Sequence, residues 1–118
     1  MSEFQAFSLD ALRERLAPPG VGYAEFVRRP DLSLGLYVLP RDGTDHQSPH
    51  HEDEAYHVIA GRARFTAGGE ERAVSAGDTL FVPAHLPHHF HSVEQDLVLL
   101  VCFGPAEGSR KPRASEPR

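Results

Sequence analysis

Cysteine, tryptophan and long apolar segments are scarce in this sequence of 118 residues. Because it contains a single Cys, the chain cannot form an intramolecular disulfide or a Cys-based zinc finger. No segment approaches the ~18 consecutive apolar residues of a membrane-spanning helix, and Met1–Asp10 lacks the basic and apolar regions of a signal peptide. We therefore expect no membrane partner, and the low cysteine content suits a cytoplasmic protein.

Positive charge is also in short supply. The chain has 12 Lys and Arg against 17 Asp and Glu, a formal net charge of −5, which argues against nucleic acid as the main partner. Histidine, in contrast, is plentiful and clustered. All 8 His lie between His46 and His91, and imidazole is the side chain that most often binds metals and moves protons near neutral pH.

A chain of this length forms one domain, and its patterning changes near Val21. Ser8–Leu16 reads as a short helix, because Ser8 can cap its start and Pro18-Pro19-Gly20 ends it. We assign residues 1–20 to an N-terminal helical arm and residues 21–104 to the domain itself. Residues 105–118, rich in Pro, Glu, Ser and basic side chains, are predicted to be a disordered tail.

Short strands separated by turn residues follow one another from Val21 to Phe103. The expected strands are Tyr23–Arg28, Leu32–Leu39, Ala55–Ala60, Arg62–Ala67, Glu70–Val74, Thr79–Val82, His88–Val93 and Asp96–Phe103. Turn signals about every 8–12 residues indicate an all-β sandwich or barrel. Because Leu97–Phe103 is apolar at every position, we expect both faces of that strand to be covered, by the helix or by a second subunit in a homodimer.

Alternation along two of these strands brings polar side chains to the apolar interior. Glu54 shares a strand face with Val58. His88 shares a face with Phe90, so both polar side chains point inward if the two apolar residues are core. An inward carboxylate and imidazole are costly in a small barrel unless they are paired or bind a metal. His50 lies an even number of residues before Glu54 and can join them, and two imidazoles with one carboxylate form the facial triad of non-haem Fe(II) sites.

The segment that ends at Gly61 resembles the first sequence motif of the cupin superfamily, G-x5-H-x-H-x(3,4)-E-x6-G. Glu54 and Gly61 keep the spacing of the E-x6-G part, and His50 stands three intervening residues before Glu54. The family's first His ligand falls at Gln47 or Ser48, and neither position is His. The resemblance therefore implies a metal site whose ligand set departs from the family pattern at one position.

A second segment resembles the other cupin motif, G-x5-P-x-G-x2-H-x3-N. Gly77, Pro83 and His88 fall in register with it, while His85 replaces the second Gly and Ser92 the Asn. Together the two segments look like those of small single-domain bacterial cupins, or monocupins. The resemblance implies a double-stranded β-helix, the jelly roll, whose interior holds one divalent metal ion.

The fourth ligand depends on how the chain runs before His50. A β-bulge at Ser48-Pro49 would turn Gln47 inward, whereas regular alternation would turn His46 inward as the alternative ligand. We expect Fe, Mn, Ni or Zn, and a neutral amide oxygen favours the harder ions of this set. The predicted metal ligands are Gln47, His50, Glu54 and His88.

The function that the resemblance implies is a metal-dependent enzyme acting on a small organic substrate. Its chemistry would be oxygenase-like, or lyase- or isomerase-like with the metal as a Lewis acid. Tyr56, inward beside Glu54, and His85, in the loop before His88, are the candidate catalytic residues that would move a proton. The alternative is a non-catalytic small-molecule-binding or vestigial cupin. The remaining histidines, His51, His57, His89 and His91, are expected to lie outside the pocket.

Overall fold

A computed structural model of the chain describes residues 3–112 and confirms the predicted all-β cupin jelly roll with a short N-terminal helix. In that part of the chain no helix is long and apolar enough to cross a membrane. The elements are α1 (Leu9–Arg13), β1 (Gly22–Arg29), β2 (Leu32–Leu39), β3 (Asp53–Ala67), β4 (Glu70–Ser75), β5 (Thr79–Val82) and β6 (His88–Gly104).

Two long strands form the centre of the fold. The antiparallel sheet has the order β1-β2-β6-β3-β4, and β5 pairs with β3. The strand expected to end at Gly61 continues through it, because Gly61 has a φ of +97° and forms an irregularity where the register of β3 against β6 shifts. A Cβ at Gly61 would collide with the carbonyl oxygen of Asp96. The two strands expected over 88–103 are likewise one strand, β6, with Ser92 at a φ of +51°.

Apolar side chains pack on both faces of β2 and β6. The inner faces of the strands supply the main core, which includes Tyr56, Val58, Phe65, Phe90, Leu97, Leu99, Val101 and Phe103. On the outer face, Leu12 and Leu16 of the N-terminal arm pack with Leu36, Val38 and Val98. The helix thus covers part of the outer face of the apolar last strand, as its composition indicates.

The helix itself is shorter than the predicted Ser8–Leu16. Ser8 caps it as expected, since its Oγ accepts a hydrogen bond from the Ala11 amide at 3.2 Å. The α-helix ends at Arg13, and the following turn carries Leu16 onto the sheet, where it is buried. A helix of five residues is marginal by itself, so packing on β2 and β6 stabilises it.

The C-terminal segment 105–112 differs from the predicted disordered tail. Its amides at Gly108 and Arg110 donate hydrogen bonds of 2.9 and 3.0 Å to the buried carboxylate of Glu52. Ala106 is 2% exposed, and the Glu107 amide donates to Ser33 Oγ at 2.9 Å. A composition poor in apolar residues predicts no core contribution, but it does not reveal backbone amides bound by a distant carboxylate. Residues 113–118 of the predicted tail lie outside the described residues.

Candidate metal centre

The structure brings together three of the predicted ligands, His50, Glu54 and His88. Glu54 lies near the start of β3 and His88 begins β6, and both side chains point into the barrel and are 2% exposed. His50 lies in the loop before β3 with 21% of its side chain exposed. One ligand atom from each of these residues lies within 4.8 Å of the others, a grouping that could hold a metal ion.

His88 Nε2 and Glu54 Oε1 lie close together although both can act as hydrogen-bond acceptors. His88 Nδ1 donates to the Leu86 carbonyl oxygen at 2.8 Å, because a carbonyl can only accept. In a neutral ring this leaves a lone pair on Nε2, which lies 2.9 Å from Glu54 Oε1. Either a proton or a metal ion must therefore join these atoms. Burial alone would lower the pKa of His88, but the hydrogen bonds to Glu54 and Leu86 outweigh it, and the pKa is raised.

Gln47 also reaches this group, through its amide oxygen. Gln47 Oε1 lies 3.2 Å from His50 Nε2 and accepts a hydrogen bond from the Tyr56 hydroxyl at 3.1 Å. On its other side the Gln47 amide nitrogen donates to Asp45 Oδ2. The segment that carries Gln47 is a loop rather than a bulged strand, so its side-chain hydrogen bonds orient the amide oxygen towards the other ligands.

Asp45 is a residue of the candidate site that the sequence reasoning missed. It is 8% exposed, and its carboxylate accepts hydrogen bonds from the Tyr37 hydroxyl, the Gln47 amide and the Phe90 backbone amide. Phe90 lies 45 positions along the chain, and only the closed barrel brings it to the loop. The sequence therefore carries no local signal for this contact.

Of the two candidate catalytic residues, Tyr56 lies beside the ligand group and His85 does not. Tyr56 is 1% exposed, packs edge-on against Phe65 and Phe90, and places its Oη 3.2 Å from His88 Nε2. Burial raises the pKa of Tyr56, so the phenol stays protonated. His85 has a φ of +70°, is exposed, and lies outside the residues that line the adjacent cavity.

The cavity beside the ligands has a volume of about 240 Å³. Ten residues line it: Tyr23, Tyr37, His46, Gln47, His50, Glu54, Tyr56, Val101, Phe103 and Glu107. The alternative ligand His46 is exposed and contributes to the lining without a contact to the ligand group in the described residues. None of the histidines expected outside the pocket lines this cavity.

Three lining residues, Tyr23, Tyr37 and Glu107, were not anticipated. Tyr23 and Tyr37 are partners across β1 and β2, with ring centroids 6.3 Å apart, and burial raises the pKa of both. Strand alternation signals which face Tyr37 occupies but not that the β1–β2 hairpin forms a cavity wall. Glu107 belongs to the segment that was expected to be disordered.

The donor set fits a divalent metal ion. Ligand atoms bound at ~2.1 Å around one ion lie roughly 3–4 Å apart. The separations of 2.9 Å between His88 and Glu54, 3.2 Å between His50 and Gln47, and 3.7 Å between His50 and Glu54 are close to this range. Two imidazole nitrogens, a carboxylate oxygen and an amide oxygen suit Fe, Mn, Ni or Zn. The second ring nitrogen of His88 is held by a backbone carbonyl, as is usual for a metal-binding histidine.

Comparisons with known proteins agree with this architecture. The family model described as Cupin domain matches residues 35–104. An uncharacterized protein of Streptomyces coelicolor is 43% identical over 103 residues, which cover 87% of this chain and 98% of that protein. Among solved structures, TT1209 from Thermus thermophilus has a TM-score of 0.69 at 23% identity, covering 87% and 99% of the two chains. KdgF from a Halomonas species has a TM-score of 0.66 at 26% identity, covering 74% and 80%.

Proposed function

The chain belongs to the cupin family, and we propose that it is a metal-dependent enzyme that acts on a small organic substrate. His50, Glu54 and His88 would hold one divalent ion, Fe, Mn, Ni or Zn, with Gln47 as the fourth ligand. The observation that carries the proposal is the approach of His88 Nε2 to Glu54 Oε1 at 2.9 Å, since both atoms are acceptors in a neutral ring–carboxylate pair.

Two of the proposed ligands, His88 and Gln47, are also held by a hydrogen bond on the side away from the ligand group. The Leu86 carbonyl fixes His88, and Asp45 fixes the Gln47 amide. Such outer partners orient ligand atoms and are typical of functional metal sites. Because both outer partners aim a ligand atom at the same group, this arrangement favours a working centre over the non-catalytic alternative.

The cavity suits a small substrate and a proton transfer. Its volume of about 240 Å³ lies below the ~300–1,000 Å³ of drug-sized ligand pockets. When bound, a divalent ion supplies Lewis acidity towards a carbonyl or carboxylate oxygen of the substrate. Tyr56 holds a proton at Oη beside the ligands and can share it with a substrate oxygen, whereas His85 stands outside the lining. We therefore favour lyase- or isomerase-like chemistry over an oxygenase.

Elemental analysis of protein purified without chelator tests the metal site. We expect close to one equivalent of a divalent metal in the wild type and a nearly complete loss in His88→Ala. His89→Ala is the matched control, because the neighbouring imidazole lies on the outer face of the same strand and should leave the metal content unchanged. A metal-free wild type, or a His88→Ala variant with full metal content, would exclude the assignment.

The metal-loaded protein then decides between the chemistries. Small carbonyl compounds and hydroxy acids should be converted equally well with and without O₂, and several different metals should support the reaction. Turnover that requires both iron and O₂ would indicate the oxygenase instead. Binding of these compounds without any turnover would indicate a non-catalytic binding protein.

A further inference from the structure

The C-terminal segment 105–112 places a second carboxylate at the metal cavity. Glu107 Oε2 lies 4.0 Å from His50 Nδ1, on the opposite edge of the ring from the ligand group, and Glu107 lines the cavity. We propose that Glu107 is a positioning residue that accepts the Nδ1 proton of His50 and so directs His50 Nε2 to the metal. This inference rests on the proposed metal site and adds the C-terminal segment to it.

His50 is the proposed imidazole ligand with the weakest anchorage. It lies in a loop with 21% of its side chain exposed, whereas His88 is on a strand at 2%. The ring packs edge-on against Phe103, with the two ring centroids 4.9 Å apart. The backbone carbonyl of His50 accepts a hydrogen bond from the His85 amide at 2.7 Å. None of these contacts fixes which ring nitrogen carries the proton.

A change of tautomer makes an acceptor at Nδ1 necessary. Without metal, His50 Nε2 lies 3.2 Å from Gln47 Oε1, an acceptor, so Nε2 carries the proton in a neutral ring. A metal bound at Nε2 requires the proton to be on Nδ1. Among the described residues the Glu107 carboxylate is the acceptor on that edge of the ring. His88 meets the same requirement with the Leu86 carbonyl.

Hydrogen bonds fix the backbone of segment 105–112 and so hold Glu107 beside His50. Glu52, 2% exposed, accepts the amides of Gly108 and Arg110, and the Glu107 carbonyl accepts from Arg28 Nη2 at 2.8 Å. The backbone is therefore held on both sides of Glu107 while its side chain faces the cavity.

Titration of the metal-free protein with Mn²⁺ and with Zn²⁺ tests the inference. Loss of an outer partner of a metal ligand typically weakens binding 10–100-fold, so Glu107→Ala should raise the Kd about tenfold. Glu107→Gln should recover part of this, because an amide oxygen still accepts from Nδ1. Glu94→Gln is the matched control: it removes an exposed carboxylate that pairs with Arg62 and does not line the cavity, and it should bind both metals as the wild type does.

Two further measurements separate positioning from folding. The Tm of metal-free Glu107→Ala should equal that of the wild type, because the backbone bonds of residue 107 remain. In ¹⁵N-resolved spectra of the Zn²⁺-loaded wild type, His50 should show a protected Nδ1–H that exchanges faster in Glu107→Ala. Equal metal affinity and equal Nδ1–H protection in Glu107→Ala would overturn the inference while leaving the metal site intact. A wild type that binds neither metal would overturn the proposed function and this inference together.

Discussion

The proposed ligands on strands and the proposed ligands in the loop are held by different means. Glu54 and His88 are buried by the barrel itself, and the alternation of β3 and β6 sets their direction. Gln47 and His50 lie in a segment without regular structure, where Asp45 accepts a hydrogen bond from the Gln47 amide and the Glu107 carboxylate lies 4.0 Å from the His50 ring. The comparison shows that one part of this site is determined by the fold and the other by side-chain hydrogen bonds.

Substituting one ligand of each kind is the most direct way to break this comparison. Glu54→Gln removes the charge of a strand ligand, and we expect metal affinity to fall by at least about 100-fold. Gln47→Ala removes a neutral loop ligand and should cost only about tenfold, while His46→Ala should change nothing. The measurement is the Kd for Mn²⁺ by calorimetry. If His46→Ala were the weaker binder, the alternative ligand would be the true one.

Asp45 offers a smaller and more selective perturbation. Asp45→Ala leaves three hydrogen-bond donors without their acceptor, among them the buried Phe90 amide. We expect the free energy of unfolding to fall by about 3 kcal/mol and Mn²⁺ affinity to fall about fivefold, as the Gln47 amide loses its orientation. Chemical denaturation and the same calorimetry measure the two effects.

Asp42→Asn is the matched control, because among the described residues that exposed carboxylate makes a long surface pair with Arg41, and Asn tolerates the φ of +61° at this position. It should match the wild type in both assays. A stable Asp45→Ala variant that binds Mn²⁺ normally would show that the loop is ordered by other contacts.

The same division explains what the sequence could predict. Strand parity and the motif spacing located Glu54, Tyr56 and His88 correctly on the inner face, because period-two alternation follows from backbone geometry. The strands expected at His88–Val93 and Asp96–Phe103 proved to be one, β6, since its pairing with β3 continues through register shifts after Ser92, whose φ is positive. Turn-forming residues alone therefore overstated the number of strands.

The structures of the loop before β3 and of the C-terminal segment could not be predicted from local sequence patterns. The bonds that fix them join Asp45 to Phe90 and Glu52 to Gly108 and Arg110, pairs separated by 45 or more positions. No periodicity connects such residues. For residues 105–112 the composition predicted disorder, because polar segments without core residues are usually disordered. Hydrogen bonds between residues far apart in the chain could therefore not be predicted from the sequence.

An apolar row lies on the outer face of the sheet, away from the proposed metal site. Phe81 and Cys102 both pair with Ala55, and Leu34 pairs with Cys102, so these four side chains form one apolar row across β5, β3, β6 and β2. Phe81 is 67% exposed, and the N-terminal arm packs on other residues of this face. We propose that a second copy of the chain covers the row, as the all-apolar last strand indicates.

Light scattering should then give the mass of a homodimer for the wild type and of a monomer for Phe81→Glu. Because the row lies on the face of β3 opposite Glu54, metal content should be the same in both proteins. Phe4→Glu is the matched control, since Phe4 is also exposed but stands outside the row, and it should remain a dimer. A monomeric wild type would refute the interface, whereas loss of metal in Phe81→Glu would show that the loop and strand ligands both depend on subunit contact.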